Sequence, residues 1–148
     1  MTAHAEVRPM PPEGVELVRR SFEAFNGRDL NELVKLYHHD CIWDMSKFAG
    51  WPECAVYRGH EGLRTILAEW EAVWEDVHFE PTDTWLVGER SLITCNLRGR
   101  RRVSGQEAEI RWMQVGETRD GLIYRVDNYT DMEEALAAVG LMAQHDSH

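Results

Sequence analysis

SLITCNLRGRRRVSGQEAEIRWMQVGETRDGLIYRVDNYT, residues 91–130, decides the fold. It reads as three strands joined by tight turns at Ser104-Gly105 and Arg119-Asp120-Gly121. In the first strand Ile93, Cys95, Leu97 and Val103 alternate with Thr94, Asn96, Arg98, Arg100 and Arg102, the two-residue period of a half-buried strand. The second continues with Ala108, Ile110, Trp112 and Gln114 against Glu107, Glu109, Arg111 and Met113. A two-residue turn at Ser104-Gly105 sets Arg102 opposite Glu107 and Arg100 opposite Glu109, so opposite charges meet on the wet face. A slip of one residue would turn every side chain over, which ties register to face. The result is a curved antiparallel sheet with one dry face to cover.

Working outward, 148 residues with 43% hydrophobic side chains suit one domain with one core. The net charge of -10 disfavours a general grip on nucleic acid or anionic lipid. The cluster Arg98-Gly99-Arg100-Arg101-Arg102 then reads as a solvated sheet face paired with Glu107 and Glu109. Three cysteines without metal spacing (Cys41, Cys54, Cys95) suit reduced thiols, and neither a leader nor a membrane span is indicated, so a soluble cytoplasmic protein is expected. No cofactor and no metal are expected, since His38 and His39 sit side by side at the end of a helix and point apart.

Residues 1–12 hold three prolines and no periodicity and are expected to be a mobile tail, as are residues 143–148, leaving one domain over 13–142. Val15, Leu17, Val18, Phe22 and Phe25 mark an amphipathic helix stopped by Asn26-Gly27, and Asp29 with Glu32 opens a second carrying Leu30, Leu33, Val34 and Tyr37. Two helices therefore precede any strand. Residues 41–45 read as a short strand, followed by an irregular loop over 46–56. Leu63, Ile66, Leu67, Trp70, Val73 and Trp74 form the stripe of a third helix, with His60 at its start as a cap or rim residue. A strand follows over 77–87, and after the meander Asp131 with Glu134 opens a last short helix closed by Gly140. Helices, one strand, a helix and then a run of strands imply an α+β domain with helices on one face of the sheet.

At this point the chain resembles the SnoaL-like branch of the nuclear transport factor 2-like superfamily. The resemblance rests on Phe25-Asn26-Gly27-Arg28-Asp29, Leu36-Tyr37-His38-His39-Asp40, Tyr57-Arg58-Gly59-His60-Glu61-Gly62, Arg119-Asp120-Gly121-Leu122-Ile123 and residues 129–136, in that order. It implies a cone-shaped α+β barrel, or cystatin-like roll, in which a curved sheet and three N-terminal helices enclose one deep apolar pocket, and it implies a homodimer. The superfamily includes ketosteroid isomerases, polyketide cyclases, epoxide hydrolases, dehydratases and proteins without catalysis, so fold alone does not settle function. Where the isomerases hold an oxyanion-hole tyrosine, a general-base aspartate and a second carboxylic acid, this chain aligns Ser21, Met45 and Gln114. Isomerisation of a ketosteroid therefore lacks its base.

Two carboxylates remain as candidate acid/base residues. Asp44, beside Trp43, would have its pKa raised in an apolar pocket, or else it pairs with an arginine or caps the loop at Ser46. Asp127 on the last strand aligns with acidic residues of cyclases and epoxide hydrolases, or else it forms a surface ion pair with Arg111. A three-residue loop at Arg119-Asp120-Gly121 sets Gln114 opposite Val126 and Trp112 opposite Asn128, turning Asn128 inward and Asp127 outward, and a two-residue turn reverses both. Tyr37, Trp43, Met45, Trp70, Leu97, Trp112, Gln114 and Asn128 are the expected ligand-facing residues, the two amides orienting a carbonyl or hydroxyl. Two functions stay open: a cofactor-free acid/base enzyme of cyclase, isomerase, lyase or epoxide-hydrolase type on an apolar oxygen-bearing ligand, or a non-catalytic binding or dimerisation module.

Overall fold

The structure is a computed structural model and describes residues 6–51 and 56–141. The first half runs β1 (Val7–Pro9), α1 (Pro12–Asn26), α2 (Leu30–Leu36), β2 (Tyr37–Lys47), β3 (Val56–Arg58) and α3 (Gly59–Val73). The second half runs β4 (Trp74–Val87), β5 (Arg90–Arg101), β6 (Glu107–Arg119), β7 (Leu122–Tyr129) and α4 (Met132–Ala138). The strands form one curved, unclosed sheet in the order β1-β4-β5-β6-β7-β2-β3. The α+β class stands, with two changes to the expected sheet. It does not close into a barrel, and β2 joins β7 in parallel.

Several expected boundaries move. Val7–Pro9, inside the stretch expected to be a tail, is a strand on β4, so a strand precedes both helices. Residues 1–5 and 142–148 lie outside the described residues, as does the part of the expected loop over 52–55. Tyr37 and the two histidines after it begin β2 rather than ending α2, and Trp74 opens β4 rather than closing α3. Tyr37 caps α2 in extended conformation (φ -107°, ψ 139°) and the chain runs straight into the sheet. A periodicity of apolar residues cannot mark such a junction when both elements bury the same face.

Local chemistry sets the helices. Asp29 accepts from the Glu32 amide at 3.1 Å and Asp131 from the Glu133 amide at 2.9 Å, so each acid satisfies a free N-terminal donor. Asn26 clasps β4 from the end of α1, donating to Phe79 O (2.9 Å) and accepting from Phe79 N (2.7 Å). Gly62 is required by packing, because a Cβ there would lie 2.8 Å from the carbonyl carbon of Tyr57. The three N-terminal helices press Phe22, Phe25, Leu33, Leu63, Ile66 and Trp70 onto the concave side. Each such side chain contributes about 1.5–3 kcal/mol of burial.

The meander keeps its predicted faces by a different register. Arg100 lies opposite Glu107 and Arg98 opposite Glu109, two residues from the expected pairing. The connection is longer than two residues: Arg101 N donates to Gln106 O (2.8 Å), and Arg102 leaves the sheet to donate from Nε to Glu71 O (2.6 Å). A slip of two preserves the face, so Cys95, Leu97, Trp112 and Gln114 remain inside. At the next turn Asp120 and Gly121 both have positive φ (56° and 76°), and Arg119 pairs with Leu122 across this two-residue hairpin turn. That turn alone would expel Asn128. A bulge intervenes, with Thr118 opposite Ile123 but Glu117 opposite Arg125, and the extra Tyr124 turns Asn128 back inward, opposite Gln114. Helix α4 lies on the other face, where Ala135 and Val139 cover Met113, Val115, Leu92 and Val87. Helices thus occupy both faces, and Met113 is buried at a position expected to be wet.

Candidate functional site

The concave face holds two cavities that share Ser21, Phe22, Tyr37 and Gln114. The larger, of 230 Å³, lies between α1 and the sheet, with Leu17, Val18, Ser21 and Phe22 above Ile93, Gln114 and Val126. The spacing of those α1 residues explains the wall, since one helix face presents them together. Glu89 and Glu117 stand among its lining residues, and Glu117 lies 3.9 Å from Arg90. The smaller, of 20 Å³, lies deeper among Phe25, Trp43, Trp70, Phe79 and Trp112. The deep end of the expected pocket is therefore almost filled by rings, with Trp70 and Phe79 centred 5.1 Å apart and Phe25 and Trp43 also 5.1 Å apart.

A chain of amides fixes the polarity of this wall. Trp112 Nε1 donates to Asn128 Oδ1 at 3.0 Å, and an indole nitrogen can only donate, so the Asn128 oxygen must face it. The same oxygen accepts from Gln114 Nε2 at 3.0 Å, while Asn128 Nδ2 donates to Asp44 O at 3.1 Å. Gln114 is thereby oriented with its nitrogen toward Asn128. Its Oε1 and the Tyr37 hydroxyl make no hydrogen bond among the described residues. Burial, followed by the nearby Cys41, holds the Tyr37 phenol well above its usual pKa, so it is a neutral hydrogen-bonding group rather than a base. Ser21 Oγ donates to Val18 O at 2.9 Å. No Asp, Glu, Lys, Arg or His lines the deep cavity among the described residues.

The two expected acid/base residues lie elsewhere. Trp43 and Met45 point inward, so Asp44 between them points to the outer face. Its Oδ1 accepts from Ser46 N at 2.8 Å and its Oδ2 is 3.4 Å from Arg125. Asp127 is also outward, paired with Arg125 at 3.0 Å and not with Arg111. Strand pairing sets Asp44 beside Asp127 and brings both carboxylates to one guanidinium, whose pKa is raised by the Asp127 hydrogen bond. The pair is an ion-pair cluster behind the sheet, away from the cavities.

Of the expected ligand-facing residues, Tyr37 and Gln114 line both cavities, and Trp43, Trp70 and Trp112 line the deep one. Asn128 stands behind Gln114, while Met45 and Leu97 are core residues at 1% and 0% exposure that line neither. The apolar stripe of α1 is a cavity wall as well as a core face, which its periodicity alone does not reveal. A serine on that stripe, Ser21, was the available signal. His60 holds the start of α3 against β2, with Nε2 3.1 Å from Tyr37 O. His38 and His39 are strand residues whose rings stack 4.4 Å apart rather than pointing away. Their ligand atoms and those of Asp40 lie within 4.8 Å, but His38 Nδ1 already accepts from Asp40 N at 3.0 Å. No helix of the described residues is long and apolar enough to cross a membrane.

Known proteins share this fold. An NTF2-like protein from Burkholderia pseudomallei superposes with a TM-score of 0.71 at 19% identity, over 88% of this chain and 99% of that one. TerC, co-crystallised with polyporic acid, gives 0.69 at 20% identity over 86% and 98%. At these identities the likeness shows the fold. The ECF RNA polymerase sigma factor SigG of Mycobacterium tuberculosis is 28% identical over 109 residues, 74% of this chain and 24% of its own length. The chain thus spans about a quarter of the curated relatives it matches. Residues 18–126 match the SnoaL-like domain, and the chain belongs to that family.

Proposed function

We propose that the chain is a binding protein for a small, uncharged, mainly apolar ligand, held between α1 and the sheet, and that it works without acid/base catalysis. One observation carries this reading: among the described residues the deep cavity holds no ionisable side chain but the neutral Tyr37 phenol, and of the two carboxylates at the larger one Glu89 is exposed and Glu117 lies 3.9 Å from Arg90. Proton transfer at carbon needs a group whose pKa lies near the working pH. By the sequence resemblance Ser21, Met45 and Gln114 align with the isomerases' tyrosine, base and acid, and Asp44 and Asp127 share the single guanidinium of Arg125 on the far face. The volume of 230 Å³ suits a ligand below the size that fills ordinary drug-sized pockets, about 300–1,000 Å³. Co-crystallisation of TerC with polyporic acid supports an oxygen-bearing ligand.

The sigma-factor relatives carry a similar stretch within a chain about four times as long as that stretch. Homodimerisation belongs to the same proposal, and light scattering should give twice 17.2 kDa. The decisive experiment fills the cavity. Ser21→Trp places an indole in the shared wall, and the neutral fluorophore N-phenyl-1-naphthylamine should then bind about tenfold or more weakly than to the wild type, a loss of ~1.4 kcal/mol. Unchanged binding with the fold intact would place the ligand elsewhere.

A further inference from the structure

One end of the larger cavity is made by the chain just before α1. Met10 and Pro11 line it, beside Gly14 of α1 and Leu86 and Glu89 of the β4–β5 hairpin. Met10 is half-buried and packs against the core, whereas Val7, Arg8 and Pro9 before it are all exposed. A Cβ on Gly14 would lie 2.7 Å from Met10 Cγ and 3.0 Å from its Sδ, so the thioether rests directly on the first turn of α1. The strand that carries Met10 there is weakly held. Gly88 N donates to Glu6 O at 3.2 Å, and antiparallel alternation then makes Arg8 and Leu86 the next hydrogen-bonded pair, leaving Val7–Val87 and Pro9–Trp85 as unbonded pairs. Two bonded pairs and no buried side chain of its own hold β1 on the sheet, so it opens locally at low cost. Pro9, Pro11 and Pro12 flank Met10, and their fixed φ keeps the released segment extended. It swings as a stiff arm and loses little entropy on returning.

Building on the binding role above, we infer that residues 6–11 are a strap that controls exchange of ligand with the larger cavity. Docked on β4, the strap sets Met10 into the end of the cavity. Released, it takes Met10 away and opens that end between α1 and the β4–β5 hairpin. Strap and ligand are coupled because both sides of the seam line the cavity, Met10 from the strap and Leu86 from the strand on which it docks. A ligand touching both gains those contacts only in the docked state, so occupancy holds the strap down. Methionine suits the position, since its unbranched thioether repacks around ligands of different outline. The α1 wall lacks that freedom: Val18 and Phe22 are buried in the core, and Asn26 clasps Phe79 of β4 through two hydrogen bonds. Movement is therefore confined to the strap.

The test locks the strap. Pro9 and Trp85 lie opposite each other and line neither cavity. Unbonded pairs of this kind hold their Cα atoms about 4.5 Å apart, within disulfide reach. In the double variant Pro9→Cys/Trp85→Cys, oxidation with diamide joins the strap to β4 and dithiothreitol frees it. Stopped-flow mixing with N-phenyl-1-naphthylamine should show association and dissociation both slowed about tenfold or more in the oxidised form and restored on reduction. Equal rates in the two forms overturn the strap and leave the binding role standing. Met10→Ala keeps the proposal testable should the double variant fail to fold or to cross-link. Removing the plug should speed probe dissociation about tenfold, and an unchanged rate overturns the role of Met10. In the wild type, bound probe should slow hydrogen exchange at Gly88 N about tenfold and leave Ala135 N, in α4 on the other face, unchanged. Exchange at Gly88 N that ignores the bound probe overturns the coupling. Failure of the wild type to bind the probe overturns the binding role itself.

Discussion

Two faces of the same three strands, β2, β6 and β7, carry opposite chemistries within single-residue alternation. On the concave side Gln114, Asn128 and the indoles of Trp43 and Trp112 form a neutral wall, with one amide bridging its neighbours. On the convex side Asp44 and Asp127 share the one guanidinium of Arg125. Carboxylates on a strand beside an apolar pocket are thus no sign of acid/base work; the parity that faces them decides. The two networks touch at one place, where Asn128 donates to the main-chain oxygen of Asp44.

The inner network should be by far the more expensive to break. Asn128→Leu fits the space but strands two buried donors, Trp112 Nε1 and Gln114 Nε2, and the part-buried acceptor Asp44 O at once. Each buried unsatisfied group costs about 1–3 kcal/mol, so urea unfolding should report a loss of at least ~3 kcal/mol. A loss below ~1 kcal/mol would mean that water replaces the amide and that the wall is wet.

Alkaline pH separates the faces next. On the concave side burial raises the Cys41 thiol from 9.0 to about 11 and the Cys95 thiol and Tyr37 phenol well above their ordinary values. These groups bind protons more tightly folded than unfolded. Their contribution is therefore complete below pH 9, the ordinary thiol value, and is lost as pH rises toward 11 and beyond. A shift of about two units is at most ~2.7 kcal/mol, and screening brings Cys41 to about 1–2 kcal/mol. Stability measured from pH 8 to 11 should fall, and Cys41→Ala should flatten the early part of that fall. A stability independent of pH up to 11 would refute the dry concave face.

The sequence displayed the faces better than the registers. Alternation from Ile93 to Leu97 and from Ile110 to Gln114 assigned the inner side correctly, because a register error of two residues is invisible to parity. Asn128 reached its inward position by a route that no turn rule specifies. The two-residue turn at Asp120-Gly121 and the bulge at Tyr124 each reverse parity and together cancel. The facing of Asp44 is undecidable from the apolar run 41–45 alone; the full β2, Tyr37–Lys47, runs parallel to β7, and long-range pairing leaves no local mark. Alternation places Met113 on the wet face, but α4, the last element of the chain, covers it. The cavity itself depends on how closely α1 approaches Ile93 and Gln114, a distance that apolar periodicity does not contain.

The smallest effect is the sharpest test of the contrast between faces. Asp44→Asn keeps the oxygen that accepts from Ser46 N and removes the charge facing Arg125, whose other carboxylate, Asp127, remains. The side chains of Asp44 and Arg125 are 18% and 34% exposed, and partly solvated pairs of this kind contribute ~1 kcal/mol or less. Thermal unfolding should therefore show a small loss that shrinks further in ~1 M salt, where the screening length falls to about 3 Å. N-phenyl-1-naphthylamine affinity should stay within about twofold, ~0.4 kcal/mol, because the substitution leaves the main-chain oxygen that Asn128 uses. A drop of tenfold or more with stability intact would show that the charge behind the sheet acts on the cavity through that single shared oxygen, and the separation of the two faces would fail where they touch.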